Sequence, residues 1–114
     1  MTDRRQRRIS RKAISGAPLE AASVLLPSPA DDTARTVLAG LFETYGNSRD
    51  PVQAARDAII RFDGDREGFV LLLSAGKGPL SERAARRLVG KPPGECRDIA
   101  TAILDTLGRC RITA

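Results

Sequence analysis

The chain has 114 residues, with 19 Lys and Arg, 14 Asp and Glu and no His, and a formal net charge of +5. Its length limits it to one domain, and the lack of His removes the commonest metal ligand and general base. No nucleophile, base and acid set can be assembled from the remaining residues, so we expect neither a cofactor nor a metal, and no enzyme.

Aromatic residues make up 4% of the chain. The core must therefore consist mainly of Leu, Ile, Val and Ala, and Ala-rich sequences with few β-branched residues favour helices. We expect an all-α fold, a small bundle of about five helices with a disordered basic N-terminal arm and a helix-turn-helix-like C-terminal part.

The charge is distributed unevenly along the chain. Residues 1–12 carry six cations against one anion, residues 13–67 carry five cations and nine anions, and residues 68–114 carry eight cations and four anions. The chain therefore has a basic tail, an acidic middle and a basic C-terminal third. This distribution is more informative than the total charge, because it predicts a polyanionic partner for the two ends.

Two thiols and one short apolar run bear on the cellular compartment. Cys96 and Cys110 lie fourteen residues apart, about 20 Å if the segment between them is helical, whereas a disulfide needs Cα atoms within about 7 Å. The run 69–73 is too short to cross a membrane. We expect free thiols in a cytoplasmic protein with no membrane contact.

Residues 1–29 form the predicted arm and linker. After Met1, residues 2–12 contain a single apolar side chain, Ile9, which is too little apolar surface to offset the entropy of ordering. Residues 19–26 are expected to form a short helix or an extended strap over the core. Residues 30–114 are predicted to fold as a single helical domain.

Two amphipathic helices are predicted next. The first begins at Asp31 or Asp32 and ends at Gly46, with apolar residues recurring at helical spacing from position 37 to 45. The second begins at Asp50, followed by a proline at the first helical position and by Gln53, in the manner of a capping box.

Residues 66–75 are ambiguous, because the apolar run 69–73 fits a buried strand as well as a buried helix. We favour a helix, since only the short segment 111–113 offers a strand to pair with it. Two more helices follow, one from Pro79 or Ser81 to about position 89 and one from about Gly94 to position 107, capped by Gly108.

The segment 69–88, FVLLLSAGKGPLSERAARRL, resembles the opening of winged-helix and related helix-turn-helix regulators of the MarR-like sort. In those proteins a leucine-rich helix leads through a Gly-Pro-Leu-Ser/Thr turn into a helix with Ala and then Arg-Arg-Leu. The resemblance implies that residues 95–107 are the recognition helix. Pro92 and Pro93 depart from the family pattern. The six residues that follow Gly108 are too few for a two-stranded wing.

The resemblance, together with the basic arm, predicts a nucleic-acid contact surface. Cations near the start of the recognition helix would meet phosphates or a base edge, and those of the preceding helix would meet backbone phosphates. The alternative is that these cations are the solvated sides of two amphipathic helices. The arm would release counterions from a polyanion, or it is a solubilising terminus or a tail that docks on a partner. The candidate residues are Arg4, Arg5, Arg7, Arg8, Arg11, Lys12, Arg83, Arg86, Arg87, Lys91 and Arg97.

Two functions remain open at this point. The first is a DNA-associated regulator or accessory protein, for example in transcription regulation, that binds double-stranded DNA through the last two helices and the arm, in the form of a homodimer if it follows the habit of such readers. The second is a protein–protein interaction module, an adaptor or inhibitor that docks on a larger partner, because residues 13–114 carry no net charge.

Overall fold

A computed structural model describes residues 7–26, 32–62, 65–76 and 78–113, and only the backbone of Arg7, Ile112 and Thr113 among these. The described chain is mostly helical. Its elements are β1 (Arg7–Ser10), α1 (Arg11–Gly16), α2 (Pro18–Leu25), α3 (Thr33–Tyr45), α4 (Pro51–Phe62), α5 (Arg66–Ser74), α6 (Pro79–Val89), α7 (Pro93–Gly108) and β2 (Cys110–Thr113).

The five helices predicted from the sequence correspond to α3–α7. Asp50 caps α4 by accepting a hydrogen bond from Gln53 N at 3.1 Å, although the Gln53 amide donates to Asp57 instead of completing a capping box. The ambiguous segment 66–75 is a helix, whose N-cap Asp65 accepts from Gly68 N at 3.1 Å. Side-chain caps are present at α4 and α5, whereas Asp32 at the start of α3 forms no capping hydrogen bond.

Helix α3 lies at the centre of the core. Its residues 36–42 are all buried, so the helix is covered around its whole circumference, as expected for a helix surrounded by others. It packs most extensively against α6 and α2, and also against α1, α4, α5 and α7. Phe42, Leu38 and Leu41 supply its largest buried side chains.

The contact between α3 and α6 is unusually close. A Cβ atom at Gly40 would lie 3.0 Å from Ser81 Cα, and Ser81 Oγ donates to Gly40 O at 2.9 Å. Glu43 caps α6, because its carboxylate accepts from Ser81 N at 2.9 Å and Leu80 N at 3.3 Å. Gly78, the residue just before α6, has φ +148°, a conformation that favours glycine.

The expectation of disorder is corrected for residues 7–18, whereas α2 corresponds to the short helix considered for residues 19–26, and the described chain has seven helices instead of about five. Ser10 caps α1 by accepting from Ala13 N at 3.0 Å. Ile14 in α1 and Ala22 in α2 are fully buried. The composition of this segment gave the wrong expectation because five buried apolar residues, Ile9, Ile14, Ala21, Ala22 and Leu25, attach it to the rest of the core.

The two ends of the described chain pair as a parallel two-stranded ribbon, in which Arg8 is in register with Arg111 and Ile9 with Ile112. The sequence offered no strand partner for either segment, because each contains four residues and they are separated by almost the whole chain. Ile9 is buried, and Cys110 packs against the core. Since neighbouring residues of a strand point to opposite faces, Arg8 and Arg111 share the outer face.

Candidate nucleic-acid interface

The three arginines predicted on α6 lie on its exposed side. Arg86 Nη2 is 2.7 Å from Glu82 Oε1, and Arg87 Nη1 is 2.6 Å from Asp32 Oδ1. Arg83 is exposed and has no ion pair among the described residues. Exposed pairs of this kind contribute about 0–1 kcal/mol, so a phosphate is able to displace the carboxylates.

The side chains of Arg86 and Arg87 extend in different directions from α6. Arg86 lines a cleft with Ser74 and Gly76 at the end of α5, whereas Arg87 reaches the residue that precedes α3. The structure therefore keeps these two guanidinium groups on separate sides of α6, each beside a carboxylate.

The turn between α6 and α7 comprises residues 90–92, a length that fits a helix-turn-helix. Lys91 Nζ lies 3.4 Å from Glu95 Oε2, and the Lys91 carbonyl accepts from Arg66 Nη1 at 3.1 Å, which ties the corner to α5. Arg97 is exposed one turn into α7. Helix α6 packs on α3 and α5, and α7 packs on α3 and α4.

The charge on α7 is unfavourable for contact with DNA. The helix contains one cation, Arg97, and three anions, Glu95, Asp98 and Asp105, and all four are exposed. A recognition helix normally presents a positive surface to the phosphates that flank the groove. The outer face of α7 therefore carries a net charge of −2, and Arg97 stands between two carboxylates in sequence.

The basic N-terminal residues fall into three groups. Arg4 and Arg5 lie outside the described residues. Arg7 contributes its backbone to β1. Arg8, Arg11 and Lys12 are exposed and form no ion pair within the part of the chain that the structure describes.

The ribbon brings these N-terminal cations to the C-terminal end of the chain. Residues 8–12 and 109–111 contain five cations and no anion, and this set is called the terminal cationic surface below: Arg8, Arg11, Lys12, Arg109 and Arg111. Arg109 pairs with Asp105 at 2.9 Å. The register places Arg8 opposite Arg111, neither forms an ion pair with a described carboxylate, and like charges directly opposite in a sheet destabilise it.

The sequence prediction missed Arg109 and Arg111 as partners of the basic arm. The available signal was the segment 111–113, which was considered only as a strand partner for residues 69–73. A short strand at each end of a chain cannot be paired from local patterns, because the pairing depends on where the intervening helices bring the two ends.

Among the described residues, no group of three or more His, Cys, Asp and Glu side chains is placed to hold a metal ion. Both cysteines are free thiols. Burial raises the pKa of Cys96, and burial followed by the charge of Asp50 raises the pKa of Cys110 to about 11. Neither thiol is therefore a reactive nucleophile near neutral pH.

Comparisons with protein-family models, with curated proteins and with solved structures find no match to this chain. Within the described segments, none of the helices combines the length and the apolar character that a membrane crossing requires.

Proposed function

We propose that this protein is a DNA-associated accessory protein that binds the phosphate backbone of duplex DNA through the terminal cationic surface. The observation that carries the proposal is the register of Arg8 with Arg111, which places two exposed arginines at facing positions, neither of which forms an ion pair among the described residues. A protein gains nothing in its own stability from such a pair. Phosphates on both sides of a groove supply the missing negative charge.

The proposed DNA-contact surface is smaller than the one predicted from the sequence. Of the arginines on α6, Arg83 is the candidate for a further phosphate contact, because Arg86 and Arg87 lie on separate sides of the helix beside carboxylates. Base readout by α7 is disfavoured by its net negative outer face. Binding through phosphates alone is independent of sequence and depends strongly on salt. Duplex DNA is favoured over single strands because the terminal cationic surface contains no aromatic side chain on which bases stack.

The test is the salt dependence of binding to a short labelled duplex. The double variant Arg8→Gln/Arg111→Gln is expected to lower the slope of log K against log salt by about two, one for each lost phosphate contact. The matched control Arg61→Gln removes one exposed cation at the far end of α4 and is expected to leave the slope unchanged. Equal slopes for wild type and double variant would contradict the proposal.

A second candidate function is a protein-docking module, favoured by a different observation. Leu71 and Val89 are 68% and 60% exposed, and together with Val70 they line a groove of about 260 Å³ between α5 and α6, bordered by Arg66 and Glu67. Exposed apolar side chains at adjacent positions are typical of interaction sites. The occupant that fits this groove is the apolar side of an amphipathic helix from a larger protein.

A photo-crosslinking side chain at position 71 tests the second candidate. It predicts cross-links to a helical segment of one partner protein, which Val89→Ser abolishes. Cross-links to a second copy of the chain contradict the docking function. So does the absence of any cross-link to a partner protein that Val89→Ser removes.

A further inference from the structure

A polar cleft lies where the start of α4 meets β2. It has a volume of about 370 Å³, roughly that of ten water molecules in the liquid. The residues that line it and matter for its chemistry are Asp50, Gln53, Arg56, Gly108, Cys110 and Arg111. Arg111 also belongs to the terminal cationic surface, so the cleft adjoins that surface.

Arg56 is the unusual group in this cleft. Its Nε atom is excluded from solvent and has no hydrogen-bond partner, and its guanidinium group forms no ion pair within the described residues. A cation that has lost part of its hydration without gaining an acceptor is costly. Because Arg56 lines the cleft, an anion bound there would offset that cost by accepting hydrogen bonds from the guanidinium group.

Arg111 lines the same cleft and supplies a second cation. Its side chain is exposed, and no carboxylate among the described residues pairs with it. Two arginines that line one cleft supply planar guanidinium donors, which suit the oxygens of a phosphate.

The other polar groups of the cleft are already engaged. Asp50 Oδ1 accepts from Gln53 N at 3.1 Å, and the Gln53 amide donates to Asp57 Oδ1 at 2.7 Å. At the end of α7, the Arg109 N–H donates to the carbonyls of Thr106 and Leu107. With Asp50 as the single carboxylate, the cleft keeps a net charge of +1.

We infer that this cleft is a phosphate-binding site, in which Arg56 and Arg111 hold one phosphate group between α4 and β2. The inference deepens the proposed function and rests on it for the source of the phosphate, which is then one position of the DNA backbone adjoining the terminal cationic surface. A free phosphate or phosphate ester offers the same chemistry, and the experiment separates the two sources.

The experiment follows the Nε–H signals of the arginines in ¹⁵N-labelled full-length protein by NMR. One arm titrates inorganic phosphate, with chloride at matched ionic strength as the control, and the other titrates a short DNA duplex. The Arg56 and Arg111 signals are expected to shift in both arms, while the Arg61 signal stays in place. In parallel, Arg56→Gln is expected to lower the salt slope of duplex binding by about one, and Arg61→Gln to leave it unchanged.

The outcomes distinguish the two claims. If wild type and Arg56→Gln bind the duplex with the same slope and phosphate leaves the Arg56 signal unmoved, the phosphate site is overturned while the proposed function stands. If the duplex does not bind but inorganic phosphate shifts Arg56 and Arg111, the proposed function fails and a site for free phosphate remains. Equal shifts of Arg56, Arg111 and Arg61 overturn the site, because they indicate general screening only.

Discussion

Arg8 and Arg111 stand in register on the outer face of a parallel ribbon formed by the two ends of the described chain. The pairing brings a basic N-terminal segment and a basic C-terminal segment together into one surface of five cations, of which Arg109 pairs with Asp105. The inner face of the same ribbon is anchored by Ile9, which is buried. Burial on one face therefore maintains an electrostatically unfavourable arrangement on the other.

The first prediction concerns that repulsion. Replacing Arg8 by Gln removes one of two like charges that face each other, so the free energy of unfolding is expected to rise by roughly 0.2–1 kcal/mol at low salt. Salt screens exposed charges, so the gain is expected to shrink as salt is added. Urea unfolding at two salt concentrations measures both effects. Arg61→Gln is the control, and a loss of stability in Arg8→Gln beyond that of the control would contradict the arrangement.

The second prediction tests whether the N-terminal helices belong to the core. Ile14 is fully buried, so Ile14→Ala is expected to lower the free energy of unfolding by about 2–5 kcal/mol. Leu19 is 40% exposed, and Leu19→Ala is expected to cost much less. Chemical denaturation of the two variants provides the comparison. Equal and small losses would mean that residues 11–25 are loosely attached.

The third prediction concerns the crossing of α3 and α6. Gly40→Ala places a methyl group 3.0 Å from the backbone of Ser81, and the resulting overpacking is expected to cost about 1–3 kcal/mol. Gly94 has nothing within 4 Å of an added Cβ, so Gly94→Ala is expected to be neutral or stabilising. Thermal unfolding of both variants tests this contrast. An unchanged midpoint for Gly40→Ala would show that the two helices are able to separate without cost.

The fourth prediction concerns pH. The Cys110 pKa is raised from 9.0 to about 11, first by burial and then by Asp50. A raised pKa in the folded state means that the unfolded chain loses the thiol proton first, so the contribution to stability is intact below pH 9.0 and declines as pH rises toward about 11. The free energy of unfolding of wild type is expected to fall in this window by more than that of Cys110→Ala. Parallel pH profiles would contradict it.

Helices α3–α7 follow from local sequence features. Asp50 before a proline, Asp65 before an apolar run and the apolar stripe of α3 each act within one or two turns of helix. Such signals are largely independent of the remaining fold. The boundaries of these helices therefore agree with the prediction to within one or two residues.

The ribbon and the cleft follow from tertiary packing. Ile9 and Ile14 are isolated apolar residues in a basic segment, and only the finished helical core provides the surface that buries them. The neighbourhood of Arg56 and Arg111 is created by the return of the chain end to α4. No local pattern encodes such a contact, so the sequence identified the basic arm while missing the C-terminal arginines beside it.

The most direct test of the central claim is to map the backbone amide signals of ¹⁵N-labelled protein that shift when a short duplex of arbitrary sequence is added at low salt. The account predicts the largest shifts in β1, β2 and the first turn of α1, with small shifts along the outer face of α7, and the same pattern for a second, unrelated duplex. Shifts concentrated between Arg97 and Asp105, or an absence of shifts in the ribbon, would contradict it.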